Sequence, residues 1–235
     1  SDDQGGAVVK APFFVAAAHE LKSPLALVRQ LSLNIEQGNL SASEIARYAH
    51  QITLTSERAL RTTTDLTKNA RLEDSLFTLE PLNPVSICEE VVAEVRPLYR
   101  AMGRDIVVSP RSRPLLGLAN RELLRRVLLN FADNALHYAE SDEPVVLQAM
   151  AHGDTIRIGV RDRGPAIPVD TWQSLTHSLG ERQQPLHSRP ASSGLGIYLA
   201  RQFAEAMSAE VGATRHRDGA TFFVDITASM QLRLL

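Results

Sequence analysis

Cysteine is nearly absent: Cys88 is the only one in 235 residues. A lone thiol excludes an internal disulfide and fits a reducing compartment. Cys88 itself reads as a small buried hydrophobe. Aromatics are scarce, at 5% against 44% hydrophobic residues overall, so the core must be built mainly from Leu, Val, Ile and Ala. No charge sign dominates. A formal net charge of -2 gives no case for binding nucleic acid or a membrane surface. No apolar run approaches the roughly 20 residues that a membrane span needs, and no secretory signal is visible. Internal repeats are missing too. His50, His152, His177, His187 and His216 show no metal-ligand spacing.

What is present begins with helices. Ser1 to Gly6 reads as a linker, so upstream parts are expected beyond this chain. Over residues 8–35, Phe14, Ala18, Leu21, Leu25, Val28 and Ile35 recur at spacings of three and four, with Ser32 the polar member. That is a heptad-like seam suited to a bundle. Pro24 inside it predicts a kink, since it removes a backbone donor and crowds the preceding turn. Gly38-Asn39 ends the helix. Ser41 or Ser43 then caps a second helix, with Glu44 in its first turn, running to about Glu73. One hairpin buries little, so its stripe (Ile45, Tyr48, Ile52, Ala59, Leu60, Leu66) argues for a second copy. The expected assembly is a homodimer through the helical hairpin, forming a four-helix bundle.

Composition shifts at Leu79-Glu80-Pro81-Leu82-Asn83-Pro84, read as a linker between a hairpin domain (1–78) and a second domain (79–235). There helices are expected at 84–102, 120–139 and 194–207. Short strands are expected at 106–108 and 115–118, a hairpin at 145–151 and 155–161, and a final strand at 220–227. Residues 177–193 are polar and aperiodic, which reads as a loop. Strands and helices do not alternate one for one. The fold class is therefore α+β, a sandwich rather than a doubly wound sheet.

Four clusters carry the chemistry. His19 heads the run His19-Glu20-Leu21-Lys22-Ser23-Pro24. A neutral imidazole is a nucleophile near pH 7, and an adjacent carboxylate orients or deprotonates it. Ser23 lies four residues on and shares its helical face, while Lys22 reads as a solvated side chain. In the second cluster, Asn130, Asn134 and His137 share one helix face. Amide oxygens there suit a hard cation that still carries phosphates and water, although a merely solvated polar face gives the same pattern. The third cluster is Asp162-Arg163-Gly164-Pro165-Ala166-Ile167 at a strand end. Its carboxylate can accept from an exocyclic amine and its glycine permits close backbone approach; an ordinary turn fits equally well. In the fourth, Ser193-Gly194-Leu195-Gly196 opens a helix whose free backbone donors suit phosphate oxygens.

The order of these clusters resembles the sensor histidine kinases of two-component systems, from about residue 8 to 228. His19 to Leu25 is similar to their phosphoacceptor box, Asn130 to Tyr138 to their asparagine box, and the Asp162 and Gly194 clusters to their glycine boxes. Gly219-Ala220-Thr221-Phe222 fits the same domain. The resemblance implies a dimerisation and phosphotransfer hairpin followed by an ATP-binding sandwich of the Hsp90 and gyrase kind. It implies ATP and Mg2+ as cofactors. His19 would attack the γ-phosphoryl group, Glu20 would act as base or orienting partner, and Ser23 would serve a reverse, phosphatase reaction. Asn130 and Asn134 would hold Mg2+, with Asp133, His137 and Tyr138 also at the nucleotide. Asp162 would bind the adenine amine, next to Gly164, Ala166 and Ile167. Ser193, Gly194, Leu195 and Gly196 would meet the phosphates.

A response regulator receiver domain is the implied partner. The chain would be the cytoplasmic portion of a sensor anchored in the membrane through a missing upstream region. Departures from the family pattern are His137 for a common lysine, Ala166 for a glycine, and Thr176 and Leu179 where phenylalanines often anchor the lid. They imply a weaker or pH-dependent phosphate contact and a loosely held lid. A non-catalytic ATP-sensing or scaffolding module and a phosphatase-biased kinase are the competing readings. Trp172 reads as a packing residue, and Arg182 and Arg189 as loop cations that either reach phosphates or only solubilise the loop.

Overall fold

The computed structural model describes residues 5–69, 77–112, 116–138, 142–170, 172–173 and 195–229. Two long helices come first: α1 (Gly5–Glu36) and α2 (Ala42–Asn69). Helix α1 continues through Pro24. The turn holds the expected cap. Ser41 N–H donates to Glu44 Oε2 at 2.8 Å, and Glu44 N–H donates to Ser41 Oγ at 3.3 Å. This reciprocal capping box satisfies two donors that the helix start would otherwise leave open. The Ser41 hydroxyl and backbone bonds hold the Glu44 carboxyl below its usual range.

Within one chain Ala17 and Leu31 are buried, one residue to the side of the expected Ala18 and Ser32, and Ala17 joins the apolar cluster of the later elements. Ala18 is exposed, as are Leu25 (60%) and Leu60 (68%). In a four-helix bundle the seam of each helix is shared between its own hairpin partner and the second hairpin, so a single hairpin covers only part of it. The expected end of α2 near Glu73 lies outside the described residues.

The second part contains β1 (Glu80–Leu82), α3 (Pro84–Ala101), β2 (Ile106–Val108), β3 (Gly117–Ala119) and α4 (Arg121–Tyr138). Next come β4 (Val145–His152), β5 (Thr155–Arg163), α5 (Leu195–Ala206), β6 (Glu210–His216) and β7 (Gly219–Ala228). Asn83 caps α3 by accepting from Val85 N–H at 3.1 Å, with Pro84 at the first helical position, where no donor is needed. The sheet order is β1-β3-β7-β5-β4-β2, and β6 also pairs with β7. All pairings are antiparallel except β2 with β4.

Two strands were not expected. Residues 80–82 read as linker but form an edge strand, where Pro81 is tolerated. Strand β6 (Glu-Val-Gly-Ala-Thr-Arg-His) has only Val211 and Ala213 in apolar alternation, too short a pattern to predict a strand, and is held by its pairing with β7.

Alternation on the sheet decides where the chemistry sits. Ile156, Ile158 and Val160 of β5 are buried, and so are Phe222, Val224 and Ile226 of β7. Phe131 of α4 meets Phe222 with ring centroids 6.0 Å apart, which identifies this as the helix-covered face. Period two carries the inward row of β5 on to Asp162, opposite Ala220. A carboxylate therefore ends a row of aliphatic side chains. Cys88 is fully buried, and burial pushes its thiol up to about 12.

Candidate nucleotide site

Asp162 is 0% exposed. Burying a carboxylate is costly unless donors meet it. One donor is the Ala220 N–H, 3.1 Å from Oδ1. Gly219 makes this approach possible. Its φ is +125°, and a Cβ there would come within 2.7 Å of Asp162 Oδ1. The loop after Asp162 is pinned to the β6–β7 turn. Gly164 N–H donates to the Asp218 carbonyl at 3.2 Å, and Arg215 Nε donates to the Ile167 carbonyl at 2.7 Å. The Asp218 carboxylate takes Arg161 at 2.6 Å and Arg163 at 2.8 Å. Desolvation works against this charge, but Arg161 and Arg163 outweigh it and lower the Asp218 carboxyl. Gly164 and Ala166 are partly exposed beside the buried Asp162, and Ile167 is buried. Next to them, His216 Nε2 lies 2.9 Å from Thr221 Oγ1. Burial first, then the Arg161 charge, lowers the His216 imidazole.

Helix α4 is capped by Asn120, which accepts from Leu123 N–H at 3.1 Å. Asn130 and Asn134 follow at helical spacing, both partly exposed. Glycine at 196 opens α5 close to Asn130: a Cβ there would lie 3.5 Å from Asn130 Oδ1. Two amide oxygens on one helix face, with an adjacent backbone free of side chain, fit a hard cation carrying phosphate oxygens. Leu195 is fully buried and fixes the start of α5. Ser193 and Gly194 lie outside the described residues, as do Thr176, Leu179, Arg182 and Arg189. The backbones of His137 and Tyr138 end α4, but their side chains are outside the described set. Trp172 packs on the core, as expected.

Asp133 has a different partner from the one expected. Its carboxylate receives Arg61 Nη2 at 3.0 and 2.9 Å, and Arg58 Nε lies 3.5 Å away. Both arginines come from α2, so Asp133 clamps the hairpin onto α4. Arg61 also reaches Glu94 of α3 at 3.2 Å. The acidic neighbours Asp133 and Glu94 outweigh desolvation and raise the Arg61 guanidinium. Behind the clamp, the buried Tyr99 hydroxyl donates to the Ala132 carbonyl at 2.6 Å, tying α3 to α4. Deeper in the same interface Asp65 pairs with Arg126, at 3% and 7% exposure. Arg58, Arg61 and Asp65 stand at i, i+3 and i+7 on α2. That charged stripe is visible in the sequence, but its partners are 30 or more residues away and no spacing reveals them.

Helix α5 packs against both hairpin helices. Ala17, two residues before His19, belongs to the same buried apolar cluster as the residues of α3, α4, α5 and the sheet. His19 lies within α1, and its side chain is outside the described residues. Glu20 is half-buried and Ser23 exposed. The helix carrying the proposed phosphoacceptor thus runs against the helix that opens at Leu195 and Gly196.

Residues 119–230 match the family described as histidine kinase-, DNA gyrase B-, and HSP90-like ATPase. Among curated relatives, the adaptive-response sensory kinase SasA of Parasynechococcus marenigrum is 28% identical over 195 residues, 80% of this chain and 49% of that protein. The chain spans about half the length of such relatives. Full-length ShkA, solved with AMPPNP, superposes with a TM-score of 0.58 at 22% identity, over 92% of this chain and 46% of that one. Histidine kinase ThkA, solved in complex with the response regulator protein TrrA, superposes with a TM-score of 0.62 at 16% identity. That match covers 94% of this chain and 63% of that one.

Proposed function

Residues 119–230 form a domain of the histidine kinase-, DNA gyrase B- and HSP90-like ATPase family, behind a helical hairpin as in a histidine kinase catalytic core, and on that premise we propose that the chain phosphorylates His19 from ATP. The observation that carries the proposal is Asp162. A fully buried carboxylate at a strand end, with one oxygen held by Ala220 N–H, is built to accept from a base amine such as that of adenine. Asn130 and Asn134 would hold Mg2+, which neutralises charge on the phosphates when bound. Gly196, with Ser193 and Gly194 before it, would let backbone donors meet the phosphate oxygens.

In the reaction the bond between the γ-phosphorus and the ADP oxygen breaks, and a phosphorus–nitrogen bond forms to the His19 imidazole. The imidazole proton passes to Glu20 or to solvent. Positioning supplies most of the acceleration in such transfers. The packing of α1 against α5 supports that positioning. The exposed apolar residues Leu25 and Leu60 support a homodimer through the hairpin. His19 would then pass its phosphoryl group to an aspartate of a response regulator receiver domain. Exposed Ser23, one turn beyond His19, favours a second, phosphatase activity toward that partner. An upstream sensor would join the chain ahead of α1 and anchor it in a membrane. Among the described residues no helix is long and apolar enough to cross one.

The test is incubation with γ-labelled ATP. Wild type should acquire acid-labile label. His19→Gln should acquire none while still binding a fluorescent ATP analogue. A wild type that binds the analogue but takes no label would point instead to an ATP-sensing module.

A further inference from the structure

The amide of Asn130 is held from the hairpin side. Its Nδ2 donates to the Arg126 carbonyl at 2.9 Å and to Asp65 Oδ2 at 3.2 Å. A carbonyl and a carboxylate facing a guanidinium are acceptors only. An asparagine side chain has one donor end and one acceptor end, so the end facing two acceptors must be the nitrogen. Oδ1 is thereby turned toward Gly196, where a Cβ would stand 3.5 Å from it. Asp65 is itself fixed. It is 3% exposed and paired with Arg126, whose Nε donates to Glu122 Oε1 at 2.9 Å. Leaving that position would take one of two carboxylates from a buried guanidinium and keep only the more exposed Glu122.

We propose that Asp65, a residue of the hairpin, is a positioning residue for the cation site of the ATP-binding domain, because it fixes which end of the Asn130 amide faces the metal. The proposal rests on the reading of Asn130 as a Mg2+ ligand. It has a consequence for signalling. Asp65 belongs to α2, so docking of the ATP-binding domain on the hairpin and affinity for Mg2+-nucleotide become linked, each strengthening the other. Movement of α2 by an upstream segment would then change nucleotide affinity without touching the nucleotide.

The experiment titrates the whole chain with a fluorescent ATP analogue, in Mg2+ and in EDTA, for wild type, Asp65→Ala and Asn130→Ala. A second variant, Asp65→Leu with Arg126→Leu, replaces the buried pair by apolar residues and so guards against unfolding. Losing Asp65 leaves the Arg126 carbonyl as the one acceptor named for Nδ2, which weakens the hold on the amide and lowers the competent fraction. The gain in affinity on adding Mg2+ should therefore fall by roughly fivefold or less, and by at least twofold. Affinity in EDTA should stay within about twofold of wild type in both Asp65 variants. An unchanged or enlarged Mg2+ gain overturns the proposal; an enlarged one would mark Asp65 as a competitor of the metal. A loss of equal size in EDTA also overturns it and leaves Asp65 a structural residue. If Asn130→Ala keeps the full Mg2+ gain, the underlying ligand assignment fails. If Asn130→Ala loses the gain while the Asp65 variants keep it, the positioning role alone fails.

Discussion

Replacing Gly219 by alanine tests the architecture around Asp162 with one methyl group. Gly219 has φ +125°, where an L residue is strained, and its Cβ would lie 2.7 Å from Asp162 Oδ1. The backbone strain costs about 1–2 kcal/mol. The Cβ would fall closer still to the Asp162 backbone carbonyl, so the overlap must be relieved by shifting the strand end at Asp162 together with its buried carboxylate, or by opening the Arg163–Gly219 rung of the β5–β7 ladder. Either movement disturbs the bond from Ala220 N–H and misaligns the base acceptor. A hydrogen bond to a charged group is worth about 1.5–3 kcal/mol. Affinity for an ATP analogue should therefore fall by roughly 10- to 100-fold. Gly153→Ala is the control. It also has positive φ, +61°, but nothing lies within 4 Å of its Cβ position. It should lower the melting temperature slightly and leave affinity unchanged. Equilibrium titration with circular dichroism melting checks both variants. A folded Gly219→Ala that binds within twofold of wild type would refute the reasoning.

Other variants probe separate parts of the account. In Asp162→Asn, the amide oxygen should stay on Ala220 N–H and turn an NH2 toward the base, cutting analogue affinity by tenfold or more with the melting temperature held. Competition between ATP and GTP reads whether base discrimination is lost with it. Arg61→Ala removes the closer of the two arginines on the Asp133 carboxylate, which is 14% exposed, and leaves Arg58 at 3.5 Å, at a cost of about 1–3 kcal/mol. Limited proteolysis should then cut faster at the hairpin–domain connection, and unchanged cleavage would remove Arg61 from the clamp. The His216 imidazole has a lowered pKa in the fold, so its neutral form is the one the fold favours. Its share of stability is present above about pH 6.5 and is lost as pH falls through the lower folded value. Melting temperature measured from pH 7.5 to 5 should fall less steeply in His216→Gln than in wild type. Identical slopes would contradict that assignment.

The parts of the fold written in local chemistry were legible in advance. The Ser41–Glu44 box, the Asn83-Pro84 start of α3 and the β4–β5 hairpin around Gly153 all stand at the expected places. Each depends on residues a few positions apart. The strand end at Asp162 and the helix face of Asn130 and Asn134 were legible for the same reason. Strand β6 was not, because Val211 and Ala213 are its only apolar side chains, too short an alternation to mark a strand, and it is held by its pairing with β7. Asp133 shows the other limit. Its spacing beside Asn130 and Asn134 suggested the nucleotide, but its charge is taken by Arg58 and Arg61 from a helix 72 residues earlier in the Arg61 case. Long-range charge pairing is decided by docking, and helical spacing alone does not encode it.

His19 as the phosphoacceptor is the central claim, and locating the phosphate tests it most directly. The chain would be incubated with ATP and Mg2+, digested near neutral pH to preserve a phosphoramidate, and mapped by mass spectrometry. The account predicts one acid-labile phosphate, on the peptide that contains His19, absent from Asp162→Asn. Phosphate on another residue, or steady release of phosphate with His19 unmodified, would contradict it.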